Sequence, residues 1–139
     1  MSSNLTRFID AQNNDYITAY SEIKAGKKNS HWMWYIFPQI KGLASSQTSK
    51  FYGIENLNEA KDFLNNEYLS NNLYNITKLL QNLDENNASK IFGYPDDLKL
   101  KSSMTLFYIA SNSNPIYKFI IDKYFNGDYC ENTLKLLRK

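Results

Sequence analysis

Leu5, Phe8, Ile9, Gln12, Tyr16, Ala19, Tyr20 and Ile23 recur at three- and four-residue intervals, the spacing that gathers side chains onto one face of an α-helix. Gly26 stands where a helix of about five turns needs its C-terminal cap. A second stripe, Leu69, Leu73, Ile76, Leu80 and Leu83, predicts another helix that gives way to the polar run 84–87. Between these two stripes, Asn56 followed by Glu59 has the spacing of a capping box, with Ala60, Phe63 and Leu64 as the apolar side of a shorter helix. Gly42 and the Ser/Thr-rich run 45–49 read as a loop with room for one helical turn.

The C-terminal third continues the pattern. Asn114-Pro115 combines a cap with a proline at the first helical position, Ile116, Phe119, Ile120 and Tyr124 follow, and Gly127 is the expected stop. Asp128 and Glu131 repeat the capping spacing before a last turn through Leu134 and Leu137. Only residues 104–110, rich in Phe, Tyr and Ile, compete as a strand, and no hairpin signal lies beside them. The expected fold is therefore all-α: one compact bundle over residues 1–139, of about six to eight helices with several short.

Composition changes this picture little. An apolar fraction of 42% with 15% aromatics supports a packed core, and 139 residues suffice for one. A net charge of +2 with only two arginines, Arg7 and Arg138, argues against nucleic acid and anionic membranes as partners. No apolar run is long enough to span a bilayer and no signal-peptide pattern opens the chain, so the expected location is the cytoplasm. Cys130 is the single cysteine, which rules out an internal disulfide, and at a helix start it reads as a buried, inert thiol. One histidine, one cysteine and scattered carboxylates have no metal-ligand spacing, so neither metal nor other cofactor is expected.

Two stretches concentrate groups capable of chemistry. The run 30–40, SHWMWYIFPQI, holds the lone histidine and both tryptophans. Built as a helix ending before Pro38, it is apolar on every side, which predicts a central position. As core, its indole, imidazole and amide groups bond to backbone. As a cleft wall, Trp32 and Trp34 stack on a planar ligand, Gln39 orients it, and His31, which titrates near neutral pH, exchanges protons. Lys27 and Lys28 sit close enough to steer an anion, or form a solvated loop. The second run, 92–105, begins FGYPDD. Pro95 suits a first helical position, and Asp96 and Asp97 then fall in the first turn, where the macrodipole favours negative charge. Beyond them Lys99 or Lys101 can bind the negative charge of a ligand that Ser102 and Ser103 also contact, with Asp97 as a partner to His31 in proton transfer; alternatively the hydroxyls of Ser102 and Thr105 bond back to the preceding turn.

Those two runs also carry a resemblance. Phe8-x-x-Ala11-Gln12 with Tyr16, Gly26-x-Lys28, the run 31–39 (HWMWYIFPQ), Gly42-Leu43, Tyr52-Gly53-Ile54, Glu59-Ala60, Ile91-Phe92-Gly93, Asp96-Asp97-x-Lys99 and the run 102–107 (SSMTLF) resemble the bacterial family catalogued as domain of unknown function 1810. The likeness implies a compact, mainly helical domain and carries no activity with it. Ala44 departs from the Gly-Leu-Gly that members tend to show after Pro-Gln. Some members bear the label calpastatin, but inhibitors of that type are extended and disordered, whereas this composition packs.

Two functional expectations follow. In one, the chain binds or hydrolyses a small polar, anionic or nucleotide-like metabolite in a pocket between His31–Gln39 and Asp96–Thr105; if it is an enzyme, a metal-independent hydrolase is the first expectation. In the other, both runs are structural core and a non-catalytic module meets a protein partner through an apolar patch around Tyr117, Tyr124 and Tyr129.

Overall fold

The computed structural model describes residues 4–138. They form α1 (Thr6–Lys24), α2 (Met33–Ile36), α3 (Gln47–Tyr52), α4 (Leu57–Asn65), α5 (Glu67–Asn82), α6 (Ala88–Phe92), α7 (Asp96–Ala110), α8 (Pro115–Phe125) and α9 (Glu131–Leu137). Among the described residues no strand forms: Ile40 and Ile54 meet in one isolated parallel bridge. The segment rich in Phe, Tyr and Ile that competed as a strand is the C-terminal half of α7. Most of its residues are buried among neighbouring helices, with Tyr108 and Ile109 half-buried, so apolar side chains need not alternate.

Asparagine side chains start four of the helices, α6 among them, where Asn87 Oδ1 accepts from Ser89 N at 2.9 Å. Asn56 Oδ1 accepts from Glu59 N at 2.9 Å, Asn66 Oδ1 from Leu69 N at 3.0 Å, and Asn114 Oδ1 from Ile116 N at 3.1 Å, with Pro115 at the first position of α8. Asn66 ends α4 and starts α5 at once, which turns the chain between two helices without a loop. Two predicted ends move. Asn126, left-handed at φ 56°, closes α8 one residue before Gly127. Cys130, not Asp128, precedes α9, and its side chain makes no capping bond. Pro95 likewise stands just outside α7, which begins at Asp96.

α7 is the centre of the molecule. It packs against α4, α6, α8 and α9, and Leu100, Met104, Leu106 and Phe107 are fully buried on different sides of it. α1 lies on α5 and α2, and α5 lies on α8. Edge-to-face and tilted rings run from α1 through α4 to α7, with Phe8–Phe63 at 5.3 Å and Phe63–Phe107 at 5.2 Å. Lys123 on α8 caps the end of α5 from outside: its ammonium donates to the carbonyls of Leu80 and Gln81 at 3.0 and 3.1 Å and also to that of Leu83.

The central position predicted for 32–37 belongs instead to α7. α2 has four residues, and its neighbours α1 and α3 cover only part of it. Trp32, Met33, Ile36 and Phe37 are buried; Trp34 and Tyr35 are half-buried and His31 is exposed. A single turn cannot hide every side.

Candidate functional site

Two anchors place the segment that leads into α2. Glu22, on the last turns of α1, accepts from the backbone N–H groups of Asn29 and Ser30 (2.7 and 2.9 Å), from the Ser30 hydroxyl (2.6 Å) and from the Trp32 indole N–H (2.9 Å). Burial alone would raise the Glu22 pKa, but these four donors hold it down at about 2. Trp32 is thereby drawn inward, 1% exposed, against Phe37 and Phe92. The second anchor is Tyr35, whose hydroxyl bonds to Asp15 and whose carbonyl accepts from Gln12 Nε2 at 2.8 Å.

Beyond α2 the chain is pinned by backbone. Ile54 N donates to Gln39 O and Lys41 N to Ile54 O, both at 2.8 Å. Gly53 permits this approach: a Cβ there would stand 2.8 Å from Lys41 Cβ and 2.9 Å from Lys41 Cα. Its φ of −65° is ordinary, so space, not dihedral freedom, demands glycine.

Across from Gln39, the first turn of α7 carries an ionic cluster. Asp96 pairs with Lys28 through Oδ2 at 2.8 Å and with Lys99 through Oδ1 at 2.9 Å. Burial pushes the Asp96 carboxyl up, and the two ammonium groups outweigh it, so its pKa is lowered. Lys28 is therefore a tertiary link, its side chain 7% exposed, while Lys27 remains in solvent. The Lys99 ammonium also lies over the Trp34 ring, 4.1 Å from its centre.

Between these walls lies a hollow of about 550 Å³, lined among others by Trp34, Gln39, Lys99, Lys101, Ser102 and Cys130. Leu43, Ala44, Pro95 and Leu98 form its apolar rim, and Tyr129, Glu131 and Asn132 close the far side. Gln39 is the distinctive group. Its residue is 9% exposed, it lines the hollow, and its carboxamide has no protein partner among the described residues.

Four of the eight residues singled out in the sequence, Trp34, Gln39, Lys99 and Ser102, meet at this hollow. The other four do not line it. His31 is exposed, and it is its carbonyl that lies 3.1 Å from the Tyr35 hydroxyl. Asp97 faces α6, accepting from Ser89 Oγ at 2.7 Å and from Leu98 N at 2.9 Å. Trp32 is core. Ser103 is fully buried, and its hydroxyl has no partner. Ser102 and Thr105 do bond back along α7, to Leu98 O (3.2 Å) and Lys101 O (2.8 Å).

Lys101, which the sequence offered beside Lys99 to bind negative charge, also lines the hollow, whereas Cys130 departs from the buried thiol expected of it. The thiol is half-buried and borders the hollow. Its backbone N–H, donating to Thr105 Oγ1 at 3.0 Å, reveals the docking of α9 on α7 that brings it there. No sequence spacing encodes that docking. Tyr117 is buried and Tyr124 and Tyr129 are half-buried, so these tyrosines form no open apolar patch. Among the described residues no group of three or more His, Cys, Asp or Glu could hold a metal ion. None of their helices is long and apolar enough to cross a membrane.

Fold and hollow together define an all-helical domain with a polar-floored cleft between α2 and α7. The chain belongs to the family described as protein of unknown function (DUF1810), whose model matches residues 2–137. It is 40% identical to the conserved hypothetical protein Rv1873 from Mycobacterium tuberculosis, known from a crystal structure. The two superpose with a TM-score of 0.95 over 98% of this chain and 97% of that one. None of the curated proteins matches the chain.

Proposed function

We propose that this protein binds a small anionic, nucleotide-like metabolite in the hollow between Trp34–Gln39 and Lys99–Ser102. The observation that carries the reading is the Gln39 carboxamide. Its residue is only 9% exposed, yet its carboxamide bonds to no protein group among the described residues, so its hydrogen-bonding capacity remains for water or a guest. Gln39 lines the hollow, and a carboxamide offers both a donor and an acceptor, a pairing suited to a heterocycle edge or an amide.

Charge supports an anion. Lys101 has no carboxylate partner among the described residues, and Lys99 shares the single carboxylate of Asp96 with Lys28. Glu131 is the one acidic side chain in the lining, against Lys99 and Lys101. Trp34 and the Leu43, Pro95 and Leu98 rim supply apolar surface for a ring. Because His31 and Asp97 lie outside the lining, the reading is binding rather than hydrolysis.

The test is a thermal-shift screen of nucleotides and sugar phosphates against the wild type, Lys99→Gln and Gln39→Leu. A ligand present at a hundred times its Kd adds about 2.7 kcal/mol of stability, a shift of several degrees in Tm. The expected result is such a shift in the wild type and its loss in both variants, each of which still melts cooperatively. A wild type that no anionic compound stabilises, or variants that keep the full shift, would overturn the reading.

A further inference from the structure

A second hollow, of about 430 Å³, opens between α4, α5 and the turn that joins α7 to α8. It shares no lining residue with the first: Ser102 borders that one and Ala110 this one, about 12 Å further along α7. Lys61, Asn65, Ser70, Tyr74, Asn112 and Tyr117 line it, and among the described residues none of these six side chains gives or accepts a hydrogen bond within the protein. Tyr117 is the most informative. The residue is 3% exposed, and its ring packs against Phe107 in the core, which holds the hydroxyl in place. That hydroxyl is not one of the sealed, unpartnered oxygens, which belong to Thr77, Gln81, Ser103 and Thr133. The little surface that Tyr117 shows therefore includes its hydroxyl, and the space it opens on is this hollow. Burial raises the phenol pKa, which keeps the oxygen a donor as well as an acceptor.

The turn beside it is fixed as well. The Ser111 hydroxyl donates to Tyr108 O at 3.1 Å and accepts from Asn114 N at 3.0 Å. Asn114 Oδ1 caps α8, which leaves its Nδ2 as a free donor on a residue of the lining. Among the described residues the lining carries one charge, the Lys61 ammonium, and no carboxylate. The amides of Asn65 and Asn112 each offer a donor and an acceptor side by side, the pairing that two adjacent hydroxyls require. Leu64 and the exposed Tyr74 supply apolar surface for the C–H face of a ring. We propose that this hollow binds an acidic monosaccharide, a polyhydroxylated ring with one carboxylate. The carboxylate meets Lys61, and the hydroxyls meet Asn65, Asn112 and Tyr117. The site stands apart from the metabolite reading of the first hollow and does not rest on it.

The experiment measures sugar affinity by calorimetry on the full chain, with three probes built on one ring: glucuronate (anionic), glucose (neutral) and glucosamine (cationic). The variants are Lys61→Gln, Asn65→Ala and Tyr117→Phe, with Lys99→Gln in the first hollow as a control. The wild type is expected to bind glucuronate about ten-fold more tightly than glucose, the increment of one charge-assisted hydrogen bond, and glucosamine most weakly. Lys61→Gln should bring glucuronate down to the level of glucose and leave glucose unchanged. Tyr117→Phe and Asn65→Ala should each weaken both sugars by about five- to ten-fold without lowering Tm, since neither group has a partner within the protein to lose. Lys99→Gln should change none of these affinities. Absence of glucuronate binding, equal affinity for the anionic and neutral sugars, or full affinity in both Tyr117→Phe and Asn65→Ala overturns the proposal. A fall in glucuronate affinity with Lys99→Gln but not with Lys61→Gln also overturns it, by assigning the sugar to the first hollow. The nucleotide screen is judged apart, so a protein that binds a nucleotide but no glucuronate refutes this proposal alone.

Discussion

Arg7 and Glu59, 52 positions apart, form a buried ion pair with Nη2 2.6 Å from Oε1 and each side chain 5% exposed. Arg7 also donates to the carbonyls of Phe51 (2.7 Å) and Gly53 (3.0 Å), and Glu59 accepts from Glu55 N (3.1 Å). One pair therefore ties α1 to α4 and to the chain between α3 and α4.

Cutting either half strands the other. Arg7→Met or Glu59→Leu should each lower the unfolding free energy by about 3–5 kcal/mol, read from guanidinium denaturation. The double variant Arg7→Met/Glu59→Leu should lose clearly less than the sum, because the second change removes the stranded charge. Additive losses would show that the two side chains act separately.

Glu22 gives the fold an acid-sensitive point. Its pKa is lowered from 4.5 in an unfolded chain to about 2 in the fold. A depressed carboxylate adds stability that is complete above the unfolded value and is lost as pH falls through the folded one. The wild type should lose on the order of 1–2 kcal/mol from this source between about pH 5 and pH 2, a figure already reduced for solvent screening. Glu22→Gln should start less stable at pH 7 and show a flatter decline across that window. Parallel decline in both proteins would remove Glu22 as the cause.

Ser103 offers the opposite outcome. Its hydroxyl is enclosed and unpaired in the middle of α7, so it costs solvation without returning a bond. Ser103→Ala should leave stability unchanged or raise it by up to about 1 kcal/mol, helped by the better helix propensity of alanine. A marked fall in Tm would mean that the hydroxyl has a partner in solution.

Much of the fold was legible because it depends on local chemistry. Asn56 and Asn114 announce helix starts through their own side chains, and Leu69, Leu73, Ile76 and Leu80 repeat at the helical period and are all buried. Even there the capping box was only half right. Asn56 caps as expected, but the Glu59 carboxylate reaches Glu55 N and Arg7, since a nearby guanidinium outbids the helix's own amide. Positions decided by tertiary contact were less legible. His31 attracts notice as the lone imidazole, yet its direction is set by how Gln12, Asp15 and Glu22 on α1 grip its neighbours, which leaves the ring outside. Asp96 and Asp97 look equivalent in the sequence. Only the approach of Lys28 makes Asp96 the one that faces Lys99.

The contact between Gly53 and Lys41 bears on how this protein should be redesigned. Since the main chain at 39–41 and 53–54 fixes how deep Gln39 lies, the base of the cleft behaves as a mould that side-chain changes elsewhere cannot recast. The walls at 34, 99 and 101 rest on helices and on exchangeable ionic contacts, so affinity for new guests is best sought there.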